Sequence, residues 1–375
     1  MSRIVVKIGS NVITRKDGTL DVTRMSALVD QVAELRRRGH QIILVSSGAV
    51  AAGRNEIRPE HRLDTVSQRQ LYSAVGQAKL INRYYELFRD HGLVCGQILT
   101  TKEGFGSRTH YLNQKHCMEV MISEGVIPVI NENDTISVTE LMFTDNDELS
   151  GLVAAMMDAD LLVILSNIDG IYDGDPSLPE SKVIREIRPG AVDLSSVVVA
   201  GKSTFGRGGM LTKSRIALKV ASEGIEVMIA NGKRDDILLH LVDNMDKVIC
   251  TRILPGERVN GVKKWLAHSH DFVKGRVVVN AGAAESLLDE NRAVSLLPIG
   301  IETVEGDFEK GDLIEIVTHN PYDDAHLTSP ADTSAKPELR ALGLGCCDYS
   351  STELRTLIGK KGHRPAIHYD YLVIF

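Results

Sequence analysis

Lys7 stands in an otherwise apolar run, Ile4 to Ile8, and is followed at once by Gly9, Ser10 and Asn11. A lysine within a buried strand is costly unless it meets an anion. A glycine just after it lets backbone N–H groups approach a phosphate closely. A second pattern of this kind comes just past the middle of the chain. KSTFGRGGMLTKSRIA (Lys202 to Ala217) is a glycine-rich loop opening a helix, with Gly206, Gly208 and Gly209 in the loop and Lys213 in the first helical turn. It is neither a Walker A sequence nor GxGxxG. Each pattern has a plainer alternative: an edge-strand lysine facing water, and a glycine-rich surface loop.

Polar residues of a different kind follow another apolar run. VIPVIN (Val126 to Asn131) leads into Glu132, Asn133 and Asp134, and TDNDEL (Thr144 to Leu149) brings Asp145, Asn146 and Asp147. Such a group suits an ammonium ion, a carboxylate bound through amides, or Mg²⁺ with water. The alternative is an acidic solvated loop in which Asp145 or Asn146 caps the next helix. VSSGAVAAG (Val45 to Gly53) carries hydroxyls and small residues straight into a helix, whose N-terminus can hold an anion or simply be capped by Ser47. It is not a GxSxG nucleophile elbow, because Val45 occupies the first glycine position. NIDGIYDGDP (Asn167 to Pro176) reads as turns, either a nucleotide contact or a plain hairpin. It lacks the Glu and the spacing of a calcium loop.

The elements that must position these residues alternate. Strand-like runs cover Ile4 to Ile8, Gln41 to Ser46, Val94 to Leu99, Val126 to Asn131, Asp160 to Ser166 and Ile225 to Ala230. They are continuous and rich in Val and Ile, as in strands buried on both faces. Helical spacing fills the intervals: Asp21 to Arg38 with Gly39 as C-cap, Ser67 to Asp90, Arg108 to Glu124, Asp147 to Met157 and Leu211 to Glu223. Alternation of this kind predicts an α/β fold, an open, mostly parallel sheet sandwiched by helices. After Leu254 the pattern changes to a Pro-, Gly- and charge-bearing linker. Beyond it come short β runs that read as a small all-β module.

At 375 residues the chain exceeds one ordinary core and fits about two domains. No apolar run approaches the ~20 residues that cross a bilayer, and the N-terminus reads as a strand rather than a signal peptide, so a cytoplasmic protein is expected. The five cysteines show no zinc-ligand spacing and read as free thiols. The net charge of −7 lies wholly beyond residue 270, where 10 Lys and Arg face 17 Asp and Glu. That balance disfavours nucleic acid there, apart from a local basic patch at Lys360, Lys361, His363 and Arg364.

Taken in order, VVKIGSNV, VSSGAVAAGR, SAVGQAKL (Ser73 to Leu80), VIPVINENDT with the Asp145–Asp147 stretch, and GRGGMLTK resemble the motifs of the amino-acid kinase superfamily, and within it those of the glutamate 5-kinases. The tail, with NAGAAESLL, SLLPIGI and DYSSTEL, resembles a β-barrel-like PUA domain. The resemblance implies a catalytic domain over residues 1–254, a linker over 255–273 and a PUA-like domain over 274–375. It implies ATP-dependent phosphorylation of the L-glutamate side chain, with Mg²⁺ bridging the phosphates. Lys7 and Lys213 would stabilise the phosphoryl group, and Asp147 would orient them. Gly9, Gly48 and Gly209 would offer backbone N–H groups. Ser47, Asp134 and Asn146 would bind glutamate, Asp134 through the ammonium. Ser166, Asn167, Arg207, Gly208, Gly209, Met210, Leu211, Thr212 and Lys213, with Lys7 and Gly9, would bind ATP. Two positions depart from the family pattern: Ser166-Asn167 stands where Thr-Asp is frequent, and Arg207 where Thr is. Inhibition by proline and a homo-oligomer are also implied. An N-acetylglutamate kinase is disfavoured by the acidic side chain at Asp134 and by the PUA-like tail, and RNA binding by the charge of the module.

Overall fold

The computed structural model describes residues 1–106, 108–136, 146–176, 178–188, 210–243, 247–258, 265–266, 272–289, 294–319 and 339–375. Its chain forms two compact units, one of residues 1–105 and 109–259, the other of 106–108 and 260–375.

The first unit is built on an eight-stranded sheet. In chain order its strands are β1 (Arg3–Ile8), β2 (Gln41–Ser46), β3 (Cys95–Thr100), β4 (Ile127–Glu132), β5 (Leu161–Ser166), β6 (Glu186–Ile187), β7 (Glu226–Asn231) and β8 (Cys250–Ile253). Their order across the sheet is β3-β4-β2-β1-β5-β7-β8-β6. The strands from β3 through β7 in that order run parallel, and β8 turns antiparallel to β7. The six expected strands therefore form the parallel part, each within about one residue of the sequence reading. They do so because runs such as Val5, Val6, Ile42, Ile43, Leu44, Leu162 and Ile164 are apolar on both faces and are buried on both.

Helices link the strands. Those used below are α1 (Ser10–Ile13), α2 (Val22–Arg37), α3 (Ala49–Arg54), α4 (Thr65–Asp90), α5 (Lys102–Gly106), α6 (Arg108–Ser123), α7 (Asn146–Met156) and α8 (Met210–Ser222). Asp21 caps α2 by accepting from the Arg24 amide, and Gly39 follows the helix at φ +88°, in the conformation a C-terminal glycine makes cheap. Asp64 caps α4 by accepting from the amides of Val66 and Ser67. The chain leaves β1 toward β2 on one side and later returns to place β5 on the other. Ligands of open parallel sheets bind outside the carboxyl ends of strands at such a reversal.

The second unit is a five-stranded sheet in the order β10-β9-β11-β12-β13, with β9 Gly275–Val279, β10 Ile301–Gly306, β11 Leu313–His319, β12 Leu339–Cys346 and β13 Leu372–Ile374. Val277, Val279, Ile314, Ile316, Leu342 and Ile367 form its core. The expectation of an all-β module is corrected here by two helices, Ala281–Leu288 and Ser351–Leu357. The physical reason is capping. Asn280 accepts from the Ala283 amide, and Ser350 with Glu353 forms a capping box, signals that a β-run reading passes over.

Candidate active site

Lys7 is not on an edge strand. β1 lies between β2 and β5, with Lys7 in register with Val45 and Ile164, and the residue is 5% exposed. Its Nζ lies 2.6 Å from Oδ1 of Asp147, whose side chain is fully buried. Lys213 Nζ donates to the other oxygen, Asp147 Oδ2. One carboxylate from the first turn of α7 thus holds two ammonium groups that lie 206 positions apart in the sequence. Burial pushes the Asp147 carboxyl up, but the charges and hydrogen bonds of Lys7 and Lys213 outweigh it and hold it below the usual carboxylate range. The helices are set by close packing. A Cβ on Gly151, one turn beyond Asp147, would meet Ile216 and Val220 of α8 at 3.0 Å.

Gly9 behaves differently from expectation. Its amide donates to the Leu165 carbonyl at 3.2 Å, continuing the β1–β5 ladder, so this N–H is engaged inside the sheet. A Cβ at Gly9 would press on the same Leu165 carbonyl oxygen at 3.1 Å, so the glycine lets β1 and β5 stay close at this point. Gly48 takes φ +105° between β2 and α3, a left-handed conformation that favours glycine.

The amide-rich group also assembles. Asn146 Nδ2 donates to Ser47 Oγ at 2.8 Å and to Asn131 Oδ1 at 2.9 Å, joining the ends of β2 and β4 to the start of α7. Asn131 Oδ1 also accepts from the Glu132 amide. Asp134 shares no hydrogen bond with this group among the described residues. It accepts from Arg69 Nε at 2.7 Å and from Ser73 Oγ at 2.9 Å, both on α4. Arg69 also donates to Glu132 Oε2 at 3.0 Å, and Gln77 Nε2 donates to the Glu132 carbonyl at 3.3 Å. Ser73 and Gln77 belong to the SAVGQAKL segment but carried no site role in the sequence reading, and Arg69 lies outside every motif quoted there. A signal existed: they recur at every fourth position along a helix, a polar stripe beside buried Tyr72 and Leu80. Helix α4 is brought this close by glycines. A Cβ on Gly76 would lie 1.8 Å from the Ala49 carbonyl oxygen, and one on Gly53 1.8 Å from that of Tyr72.

At the end of β5, Ser166 is buried and Asn167 exposed, and the Ser166 carbonyl accepts from the Gly232 amide at 2.8 Å. Just beyond, Asp169 takes both Nε and Nη2 of Arg234 at 2.7 Å. That pairing holds the Asp169 carboxyl below its ordinary range. It ties the loops after β5 and β7 together. Tyr172 bridges Val183 antiparallel, as the hairpin alternative for this segment anticipated. Met210, Thr212 and Lys213 open α8. Arg207, Gly208, Gly209, Asp145 and the Leu211 side chain lie outside the described residues.

One buried carboxylate between two lysines, at the reversal point of an open parallel sheet, carries one net positive charge, as suits a site for an anion. The chain belongs to the amino acid kinase family, whose model matches residues 2–231, and a PUA domain model matches residues 275–369. Among curated relatives, the glutamate 5-kinase of Bacteroides thetaiotaomicron is 59% identical over 100% of this chain and 98% of its own. The glutamate 5-kinase of Chlorobaculum tepidum is 42% identical over 99% of this chain and 97% of its own.

Proposed function

We propose that this chain transfers the terminal phosphoryl group of ATP to the side-chain carboxylate of L-glutamate, giving L-glutamyl 5-phosphate and ADP, the first step of proline biosynthesis. One observation carries the reading: Asp147 holding Lys7 and Lys213 together in a buried site, in a chain that matches glutamate 5-kinases over its full length.

The nucleophile needs no base. A glutamate side chain with a reference pKa of ~4.3 is ionised at neutral pH. The obstacle is bringing one anion to another, so catalysis rests on positioning and neutralisation of charge. Asp147 fixes both ammonium groups, and the trio carries one net positive charge toward the transferring phosphoryl group. Ser47 and Asn146 would orient the glutamate, and Asp134 would face its ammonium. Ser166, Asn167 and the segment from Arg207 to Lys213 would hold the nucleotide. Mg²⁺ would enter with ATP, bound to its phosphate oxygens and to water.

Residues 1–254 would act as the catalytic domain, with 255–273 as linker and 274–375 as a structural or regulatory module. Proline would inhibit by overlapping the glutamate site near Ser47 to Gly53 and Asp134. A cytoplasmic homo-oligomer is the expected form. An ADP-release assay with Mg-ATP tests the reading directly. L-Glutamate should drive ADP formation, N-acetylglutamate and L-aspartate should not, and proline should suppress the rate. Equal rates with N-acetylglutamate, or silence with glutamate, would overturn it.

A further inference from the structure

Two buried hydroxyls meet where α4 passes the end of β2. Tyr84, on α4, is 1% exposed, and Ser46, the last residue of β2, is 0% exposed. Their oxygens stand 2.8 Å apart. Ser46 Oγ also donates to the Ser47 carbonyl oxygen at 3.1 Å. A serine hydroxyl has one proton to give and a carbonyl has none. With the Ser46 proton committed to Ser47, Tyr84 is the donor to Ser46, and only this order satisfies both buried protons. Burial pushes the Tyr84 hydroxyl up to about 12, so the donor keeps its proton across the neutral range.

The relay ends on the peptide between Ser47 and Gly48. Among the described residues the Ser47 carbonyl has no other donor, and the Gly48 N–H meets no acceptor. The two groups belong to one planar trans unit, so they point in opposite directions. Holding the carbonyl therefore fixes where the N–H points. Gly48 is half-buried and follows Ser47, whose Oγ accepts from Asn146 at 2.8 Å. An N–H left unfilled here is a donor that a bound anion can use, provided that the peptide is held against rotation.

We propose that Tyr84 is a positioning residue for phosphoryl transfer: through Ser46 it locks the Ser47–Gly48 peptide, with the Gly48 N–H kept for the anion in transfer. The proposal rests on the glutamate-kinase reading and extends it from the site to its support. The phenol touches no substrate and acts only through Ser46.

The test is a double-variant cycle. Tyr84→Phe removes one oxygen and little volume, and Ser46→Ala removes the relay. Both single variants and the double variant are assayed for ADP release across ranges of L-glutamate and of ATP, with thermal unfolding as a check. Tyr84→Phe should lower kcat about fivefold and Ser46→Ala about tenfold, the scale of one net hydrogen bond. Both KM values should stay within about threefold, as when an interaction made only in the transition state is lost. The losses should not multiply: the double variant should match Ser46→Ala within about twofold. A hydroxyl with a purely structural role would lower the melting temperature and leave kcat unchanged, and that result in Tyr84→Phe overturns the proposal. So does a loss of about fiftyfold in the double variant, the product of two independent effects. A raised glutamate KM with kcat unchanged overturns it as well. Should Ser46→Ala not fold, the kcat of Tyr84→Phe decides alone. A wild-type chain silent with glutamate removes the glutamate reading itself, whereas an active wild type with an indifferent Tyr84→Phe removes only the role of Tyr84.

Discussion

Asp147 and Asp134 are both buried and both lie beyond the carboxyl ends of the parallel strands, yet they share their cations differently. Asp147 is one carboxylate between two ammonium groups, which leaves a positive excess. Asp134 and Glu132 are two carboxylates that share the Arg69 guanidinium. The link between them is neutral, the hydrogen bonds from Asn146 to Asn131 and Ser47. A buried carboxylate is therefore not a functional label in itself. What it does is set by the number of cations it is obliged to share. In the proposed reaction the positive end takes polyphosphate and the negative end takes an ammonium, so substrates would be sorted by charge before any shape is read.

The comparison breaks most visibly at Asp147. Asp147→Asn leaves two buried ammonium groups without their counter-charge, and removal of one partner from a buried ionic group costs about 3–5 kcal/mol. Chemical denaturation should show that loss, and kcat should fall by at least about 10²-fold. The same residue predicts a pH dependence. Its folded carboxyl is held below the ordinary range, so its stabilisation is complete above the unfolded value of ~3.9 and disappears as pH falls through the lower folded one. Acid titration of stability should be shallower in Asp147→Asn than in the wild type.

A smaller effect tests the negative end through its scaffold. In Gly76→Ala the new methyl would collide with the Ala49 carbonyl oxygen. Overpacking of this kind costs about 1–3 kcal/mol. The glutamate KM should rise as Arg69 and Ser73 are displaced, while kcat changes less. The smallest effect should come from Arg234→Ala. Its pair with Asp169 is bidentate but 45% exposed on the arginine side, so the loss of stability should stay within about 1 kcal/mol. Melting temperatures would separate these two variants.

The parallel sheet was legible because its strands are apolar on both faces, and a buried run such as Val5 to Ile8 admits few other readings. The positive end was legible for a related reason. A lysine such as Lys7 inside such a strand demands an anion, and Asp147 meets it. The negative end was only half legible. Asp134 could be named from its place after β4, but its partner Arg69 lies on a helix whose polar face resembles any solvated face. Only contact across 65 positions of sequence distinguishes it. Gly9 misled in the opposite direction, since sequence cannot tell an amide facing a ligand from one completing a ladder to Leu165. The C-terminal helices were missed because two-turn helices carry too few residues for periodicity, and only their caps announce them.

One experiment weighs the central claim most directly: full ADP-release kinetics for Lys213→Ala and Asp134→Ala side by side. The charge division predicts a crossed result. Lys213→Ala should lose about 10²–10³ in kcat with little change in the glutamate KM. Asp134→Ala should raise the glutamate KM by at least about tenfold with a smaller change in kcat. An unchanged kcat in Lys213→Ala, or an Asp134→Ala variant that alters only the KM for ATP, would contradict the division of the site into a positive and a negative end.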